Sequence, residues 1–325
     1  MTLRWGILST ARINDKFLAG CAASDELKVV AVASREGERA RAYAAEHGID
    51  RAHDGYDALL ADPEVDAIYI PLPNALHLEW TERALRAGKH VLCEKPMGRR
   101  AAAVAAAFDL AEQQGLILCE AFMFRHHPQT LRVAELVAAG AIGPLRLIRA
   151  SFSFPLTDPG DVRLATALDG GSLMDLGCYC VSGARMLGGE PERVTGQQVL
   201  GGDGVDVAFV GTMVFSGGVT AHFDAGFCSA VRSELEVTGE HGSLRVADPW
   251  HCRNSGIELC TEAGAEQIPV PRADPYRLEA EDMAAAIRGE REPRLGRADA
   301  LGQAAAIEAL YASAAAGGTP VSRHG

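Results

Sequence analysis

"WGILSTARIN", residues 5–14, decides how the chain folds. A short apolar strand (Leu3, Trp5, Ile7, Leu8) runs into small residues and then into "INDKFLAGCAA", which reads as a helix. A strand turning sharply into a helix is the opening unit of a dinucleotide-binding sheet, whose fingerprint is G-x-G-x-x-G. Here the three glycine places hold Ser9, Ala11 and Asn14. The fingerprint glycines serve a tight turn, a close backbone approach to the pyrophosphate, and helix–strand packing. Ala11 adds only a methyl, and Asn14 is bulkier but can help cap the helix start. Ser9 is the largest departure: it tolerates the turn less well than glycine, while its hydroxyl can donate to a phosphate oxygen. The helix N-terminus offers free N–H groups whatever the side chains. Taken alone, the stretch fits an ordinary strand–turn–helix equally well.

Working outward, strand and helix alternate over the first 120 residues. Strands are expected at 26–34, 65–73, 90–96 and 116–122, with helices at 35–48, 77–88 and 100–114. The run "VDAIYIPLP" is apolar throughout, as a parallel strand covered on both faces should be. Five strands with helices between them imply a doubly wound parallel sheet. Beyond residue 122 the texture changes. After a helix at about 129–139 come stretches such as "LRLIRASFSF", "VAFVGTMVFS" and "SELEVTGEHGSLRV", joined by "SGG" and "EHG" turns. This half is expected to be a large, open, mostly antiparallel sheet, followed by helices at about 276–288 and 298–315. The division predicted is 1–121 for an α/β doubly wound domain and 122–325 for an α+β domain. Few helices are left to cover the second sheet. An exposed apolar face is therefore expected, and with it a homodimer or homotetramer.

Composition narrows the partners. The 325 residues carry 31 basic and 43 acidic side chains, net −12, with no basic run, which speaks against nucleic acid and anionic membrane. There is no charged-then-apolar leader and no uninterrupted apolar stretch of membrane-spanning length, so a cytoplasmic protein is expected. The eight cysteines lie in apolar segments without C-x-x-C pairs, the pattern of reduced core thiols, and no set has zinc-ligand spacing.

The second strand ends in "ASRE", where a dinucleotide domain reads the adenosine ribose. A carboxylate there would take a 2′-hydroxyl, whereas Ser34 and Arg35, with Arg39 one turn later, suit a 2′-phosphate. The cofactor expected is NADP, with NAD as the alternative. At the end of the next-to-last parallel strand of the set stands "CEKP", Cys93 to Pro96, and a lysine there faces the ligand crevice of such sheets. Three further patterns accompany it: "PLPNALH" (71–77), "EAFMFRHHPQ" (120–129) and "GGSLMDLGCY" (170–179).

Together, in this order and spacing, these motifs strongly resemble the glucose–fructose oxidoreductase / inositol dehydrogenase family. The branch most similar is that of dimeric dihydrodiol dehydrogenase and the NADP-linked xylose dehydrogenases, which carry tyrosine where inositol dehydrogenase has histidine. The resemblance covers essentially the whole chain. It implies an oxidoreductase with an NAD(P)-binding Rossmann domain at 1–121 and, at 122–325, a large open sheet for substrate and oligomerisation, with the last helix packing back on the first domain. It also implies cofactor contacts from Ser9, Thr10, Ala11, Arg12 and Ile13, from Ser34, Arg35 and Arg39, and from Pro71, Leu72, Asn74, His77, Glu94 and Lys95. Substrate contacts are implied for Phe124, His127, Arg163 and Tyr179, with His126 near the same place.

The residues admit the chemistry the resemblance implies. Hydride transfer needs a group that takes or gives the proton of a substrate hydroxyl. Tyr179 is the candidate; a lone tyrosine titrates near about 10, and a nearby ammonium such as Lys95 favours its phenolate. Asp175, four residues earlier, would share its face if "SLMDLGCYC" is an α-helix, and could orient substrate hydroxyls or the lysine. The expected reaction interconverts a secondary alcohol and a carbonyl on a sugar, polyol or cyclic diol. Two rivals are an NAD-dependent glycosidase-type enzyme and a ligand-sensing regulator on the same fold. The first is disfavoured by Arg35 and Tyr179, and the second by the joint presence of Lys95 and Tyr179.

Overall fold

A computed structural model describes residues 2–253 and 256–322 and divides the chain into two compact units. The first holds the chain up to Gly98, Ala102–Met123 and Asp274–Leu301; the second holds Arg99–Ala101, Phe124–Ala273 and the chain from Gly302.

In the first unit β1 (Leu3–Leu8), α1 (Asn14–Ala22), β2 (Leu27–Ser34), α2 (Gly37–His47), β3 (Arg51–Asp54) and α3 (Tyr56–Leu60) follow one another. Next come β4 (Ala67–Ile70), α4 (His77–Arg86), β5 (His90–Glu94), α5 (Ala101–Gln114) and β6 (Leu118–Ala121). The strands form one parallel sheet in the order β3-β2-β1-β4-β5-β6. It has six strands where the sequence predicts five. The addition is β3, "RAHD", a polar edge strand whose residues are at most half-buried and so carry no apolar signature. The core is aromatic at its centre: Phe17 stacks on Tyr69 with ring centroids 4.1 Å apart, and Trp5 meets Phe17 edge-on at 5.2 Å.

The second unit opens with α6 (Pro128–Ala138) and β7 (Leu145–Ser153), then a π-helical turn (Leu173–Gly177) that runs into α7 (Cys178–Gly188). Seven strands follow: β8 (Arg193–Leu200), β9 (Asp206–Val214), β10 (Thr220–Gly226), β11 (Arg232–Gly239), β12 (Gly242–Ala247), β13 (Gly256–Thr261) and β14 (Gly264–Pro269). The chain closes with α8 (Pro275–Ile287), α9 (Arg297–Ala315) and β15 (Val321–Ser322). The nine-stranded sheet runs β14-β13-β12-β11-β7-β10-β9-β8-β15 and is antiparallel except at β7–β10. That parallel pair follows from the long excursion through α7 that separates β7 from its neighbour in the sheet.

α8 belongs to the first unit. Asp274 caps it, accepting from the Tyr276 and Arg277 backbone N–H groups at 2.9 and 3.3 Å, and Pro275 occupies the first turn. α8 lies so close to α1 that a Cβ on Gly20 would sit 2.7 Å from the Arg277 nitrogen.

The uncovered face of the large sheet departs from expectation. Directly opposed residues form a polar row across it: Thr195, Thr212, His222, Arg149, Glu236, Arg245, Glu258 and Gln267. Arg149 pairs with Glu236 at 3.1 Å and Arg245 with Glu258 at 3.5 Å. Arg149 and Arg245 hold the exposed positions, and Val199, Leu200 and Val210 are the exposed apolar residues of β8 and β9. The strand alternation that buries Ile148, Leu235 and Val246 places charges outward. The cysteines also depart in part. Six of the eight are buried, but Cys228 is exposed. Among the described residues no group of His, Cys, Asp and Glu could hold a metal ion, and no helix is long and apolar enough to cross a membrane.

Candidate active site

The turn after β1 replaces glycine chemistry with a side-chain staple. Ser9 sits at φ +110°, a backbone region that favours glycine, with its N–H donating to the Ala33 carbonyl at 3.0 Å. Asn14 is fully buried, and its side-chain amide donates to the Ser9 carbonyl at 2.9 Å. The sequence suggests Asn14 as a helix cap; instead Ile13 occupies the cap position without a side-chain bond, and Asn14 ties the turn together. Thr10, Ala11 and Ile13 are half-buried and Arg12 is exposed along the same bend.

The Ser9 hydroxyl is buried and has no hydrogen-bond partner among the described residues. A buried polar atom of this kind leaves the turn room for a polar group from outside. It stands in the turn leading to the N-terminus of α1, where a dinucleotide domain holds its pyrophosphate. The loop therefore fits a nucleotide phosphate despite its missing glycines. Holding a non-glycine residue at that φ costs about 1–3 kcal/mol. Ser9→Gly is accordingly expected to raise thermal stability by about 1 kcal/mol, read by calorimetry, and to leave cofactor affinity unchanged or tighter. A tenfold weakening, about 1.4 kcal/mol, would instead make the hydroxyl a phosphate ligand in its own right.

At the end of β2, Ser34 is buried and its Oγ accepts from the Glu36 N–H at 3.4 Å, while Arg35 and Arg39 are exposed. Burial raises the Tyr56 phenol, and the charges of Arg35 and Arg39 both oppose that rise. Two guanidinium charges thus act at one place beside the sheet edge.

The loops after β4 and β5 are clipped to each other. Pro71 and Leu72 are buried and Asn74 is half-buried. His77 is buried with Nδ1 2.8 Å from the Pro96 carbonyl and Nε2 2.7 Å from the Leu72 carbonyl. Glu94 accepts from the Tyr69 hydroxyl at 2.5 Å and from the Lys95 backbone N–H at 3.2 Å. Beyond the proline, the Met97 N–H donates to Glu120 at 2.7 Å. Lys95 itself is half-buried.

In the second unit, "GGSLMDLGCY" forms a tight turn into the π-helical segment. Gly170 has no room for a side chain, because a Cβ would overlap the Arg163 carbonyl oxygen. Arg163 Nε donates to Asp175 at 2.7 Å, and its guanidinium also lies 3.3 Å from Asp161. Asp175, followed by the opposing pull of burial and then by Asp161, holds the Arg163 guanidinium above its usual range. The expected α-helical spacing between Asp175 and Tyr179 does not hold, because the π-helical segment is wound more loosely.

Tyr179 stands inside an aromatic enclosure, with ring centroids 5.6 Å from Phe124, 5.4 Å from Phe152 and 6.3 Å from Trp250. Trp250 is in turn fixed by its N–H, which donates to the Ser151 carbonyl at 2.8 Å. His127 is fully buried and caps α6, accepting from the Gln129 N–H at 3.1 Å, and His126 is buried beside it. The structure thus brings Phe124 to Tyr179 and Arg163 to Asp175, and sets His127 into a helix cap. Phe152 and Trp250 are absent from the sequence-based site. Each is an aromatic residue in a strand or loop far along the chain, with no motif around it.

Residues 3–122 match the family described as "Oxidoreductase family, NAD-binding Rossmann fold", and residues 130–245 match the "GFO/IDH/MocA C-terminal domain". D-xylose 1-dehydrogenase (NADP(+)) 2 of Haloferax volcanii is 39% identical over 320 residues, covering 97% of this chain and 98% of its own. The chain belongs to the Gfo/Idh/MocA oxidoreductase family. Trans-1,2-dihydrobenzene-1,2-diol dehydrogenase of Sus scrofa is 34% identical, covering 84% of this chain and 82% of its own. A crystal structure of a 3-ketoreductase from Actinomadura kijaniata, solved with NADP and TDP-benzene, aligns with a TM-score of 0.90. It is 32% identical, covering 96% of this chain and 98% of that one. As a Gfo/Idh/MocA member the protein is an NAD(P)-dependent oxidoreductase, with its parallel sheet in the Rossmann half and its large mostly antiparallel sheet in the other.

Proposed function

We propose that this oxidoreductase prefers NADP and interconverts a secondary alcohol and a carbonyl on a sugar, polyol or cyclic diol. The carrying observation is the setting of Tyr179: an aromatic enclosure fixes its ring while the Arg163–Asp175 pair sits at the start of the same helical segment. A nicotinamide held by these residues would supply the acceptor and donor of the hydride at the carbinol carbon. Tyr179 takes the hydroxyl proton of the substrate during oxidation and returns it during reduction. The Lys95 ammonium favours the phenolate form that accepts this proton. Asp175, held by Arg163, orients substrate hydroxyls as an acceptor. Ser9 to Ile13 and the N-terminus of α1 hold the pyrophosphate, and Ser34, Arg35 and Arg39 receive the 2′-phosphate. Pro71, Leu72, Asn74, His77 and Glu94 line the nicotinamide side. Phe124, Arg163 and His127 are assigned to the substrate side, with His127 acting through its cap.

The test is incubation of the purified protein with NADP and a panel of aldoses, polyols and cyclic diols, followed at the reduced-nicotinamide absorbance. Turnover of at least one member is expected, and no turnover of any would overturn the reading. NADPH is expected to bind more tightly than NADH, and Arg35→Ala to lose about 1.5–3 kcal/mol of that preference. Fluorescence titration showing NADH bound more tightly by the parent would refute the 2′-phosphate assignment.

Cysteines buried in apolar segments suit a reducing cytoplasm. A homodimer or homotetramer is expected from the family resemblance, and the polar row across the open sheet face no longer supplies the apolar reason for it. Light scattering at micromolar concentration should show it. A monomer would contradict this.

A further inference from the structure

Asp206, which opens β9, is buried beneath the turn that leads to Tyr179. One carboxylate oxygen accepts from the Ser172 hydroxyl and the Leu173 backbone N–H, both at 2.7 Å. The other accepts from the Tyr311 hydroxyl, also at 2.7 Å. Burial pushes the Asp206 carboxyl up, and these three donors pull it back. Leu173 is the first residue of the π-helical segment, so its N–H is one of those that no helical carbonyl satisfies. Asp206 supplies from β9 the acceptor that a capping side chain ordinarily supplies from the helix itself.

The surroundings leave this contact no freedom. Gly171 sits at φ +124°, and a Cβ there would overlap the Asp206 carboxylate and lie 3.0 Å from the Tyr311 oxygen. The Arg99 guanidinium covers the Tyr311 ring at 4.1 Å from its centroid and pairs with Asp169 at 2.7 Å, one residue before the glycine pair. Turn, carboxylate, phenol and guanidinium form one closed arrangement around the first turn of the segment that carries Asp175 and Tyr179.

We infer that Asp206, with Tyr311 as its support, is a positioning residue for catalysis: it sets the start of the π-helical segment and thereby the direction in which Tyr179 presents its hydroxyl. The inference rests on Tyr179 being the acid–base group. A misplacement of about 1 Å at a reacting group can cost about 10²-fold in rate without loss of binding.

The test compares Asp206→Asn, Tyr311→Phe and Tyr179→Phe, and the double variant Asp206→Asn/Tyr179→Phe, on the best substrate found. Asp206→Asn is expected to lower kcat by about 10–10²-fold with cofactor Kd and substrate KM little changed, and Tyr311→Phe to do the same more mildly. In the Tyr179→Phe background Asp206→Asn should cause no further loss, because it acts through that hydroxyl. Should Asp206→Asn fail to fold, Tyr311→Phe and its double variant with Tyr179→Phe carry the comparison. An unchanged kcat overturns the inference, and so does a loss that multiplies in the Tyr179→Phe background, which marks a purely structural role. If Tyr179→Phe is itself fully active, the acid–base reading falls and this inference with it. If Tyr179→Phe is impaired and Asp206→Asn is not, only the inference falls.

Discussion

Tyr179→Phe lowers turnover by about 10²–10⁴-fold, the range for a lost general acid–base, while fold and cofactor affinity are retained. The substitution removes one oxygen and keeps the ring, so the packing against Phe124, Phe152 and Trp250 survives. Lys95→Ala is expected to be comparably damaging, as the role proposed for its ammonium requires. The double variant is little worse than either single one, as expected for groups acting as a unit. The rate of alcohol oxidation is expected to rise with pH in the parent, and Lys95→Ala to displace that rise to higher pH. A Tyr179→Phe protein that turns over normally refutes the assignment and makes Asp175 the next residue to test, followed by His127.

Glu279→Gln changes how stability depends on pH, and the direction follows from where Glu279 lies. It is buried on α8, and neither carboxyl oxygen has a hydrogen-bond partner among the described residues. Burial, followed by the charges of Glu94 and Asp282, raises its carboxyl well above the ordinary range. The folded protein therefore keeps a proton that the unfolded chain loses near the usual glutamate value of about 4.3. The unfolded state binds fewer protons between those two values, so stability falls as pH rises through that window, by at most about 1.4 kcal/mol per unit. Glutamine cannot ionise and lacks that slope. Urea unfolding from pH 5 to pH 8 should show the variant gaining on the parent as pH rises. Parallel curves would show that the carboxyl is solvated in the folded state.

The parts of the fold visible in the sequence are those whose physics is local. Continuous apolar runs such as "AIYI" mark buried parallel strands, and a glycine at 48 in the left-handed conformation ends α2 as its position suggests. β3 was not visible because an edge strand needs no apolar residues. The charged face of the large sheet could have been read from "LRLIRA" and "SELEV", whose alternation puts every second residue outward. Within the candidate site, Lys95, Asp175 and Tyr179 stand in short motifs. Asp206, Tyr311 and Trp250 meet that neighbourhood from sequence positions 27 to 132 residues beyond Tyr179, and only the folded chain brings them there. The staple between Ser9 and Asn14 was hidden for a different reason: a left-handed serine looks like any serine until its φ is known.

The Rossmann unit is discontinuous, since Asp274–Leu301 returns to it after the whole large sheet has been laid down. A growing polypeptide therefore exposes the α8-facing side of α1 throughout most of translation, and Gly20 keeps that side smooth until its partner emerges. Release of the early half from the ribosome yields an unfinished cofactor domain. A gene cut after residue 123 would not encode a self-sufficient nucleotide-binding module, and a fusion that transplants this domain must carry the distant helix with it.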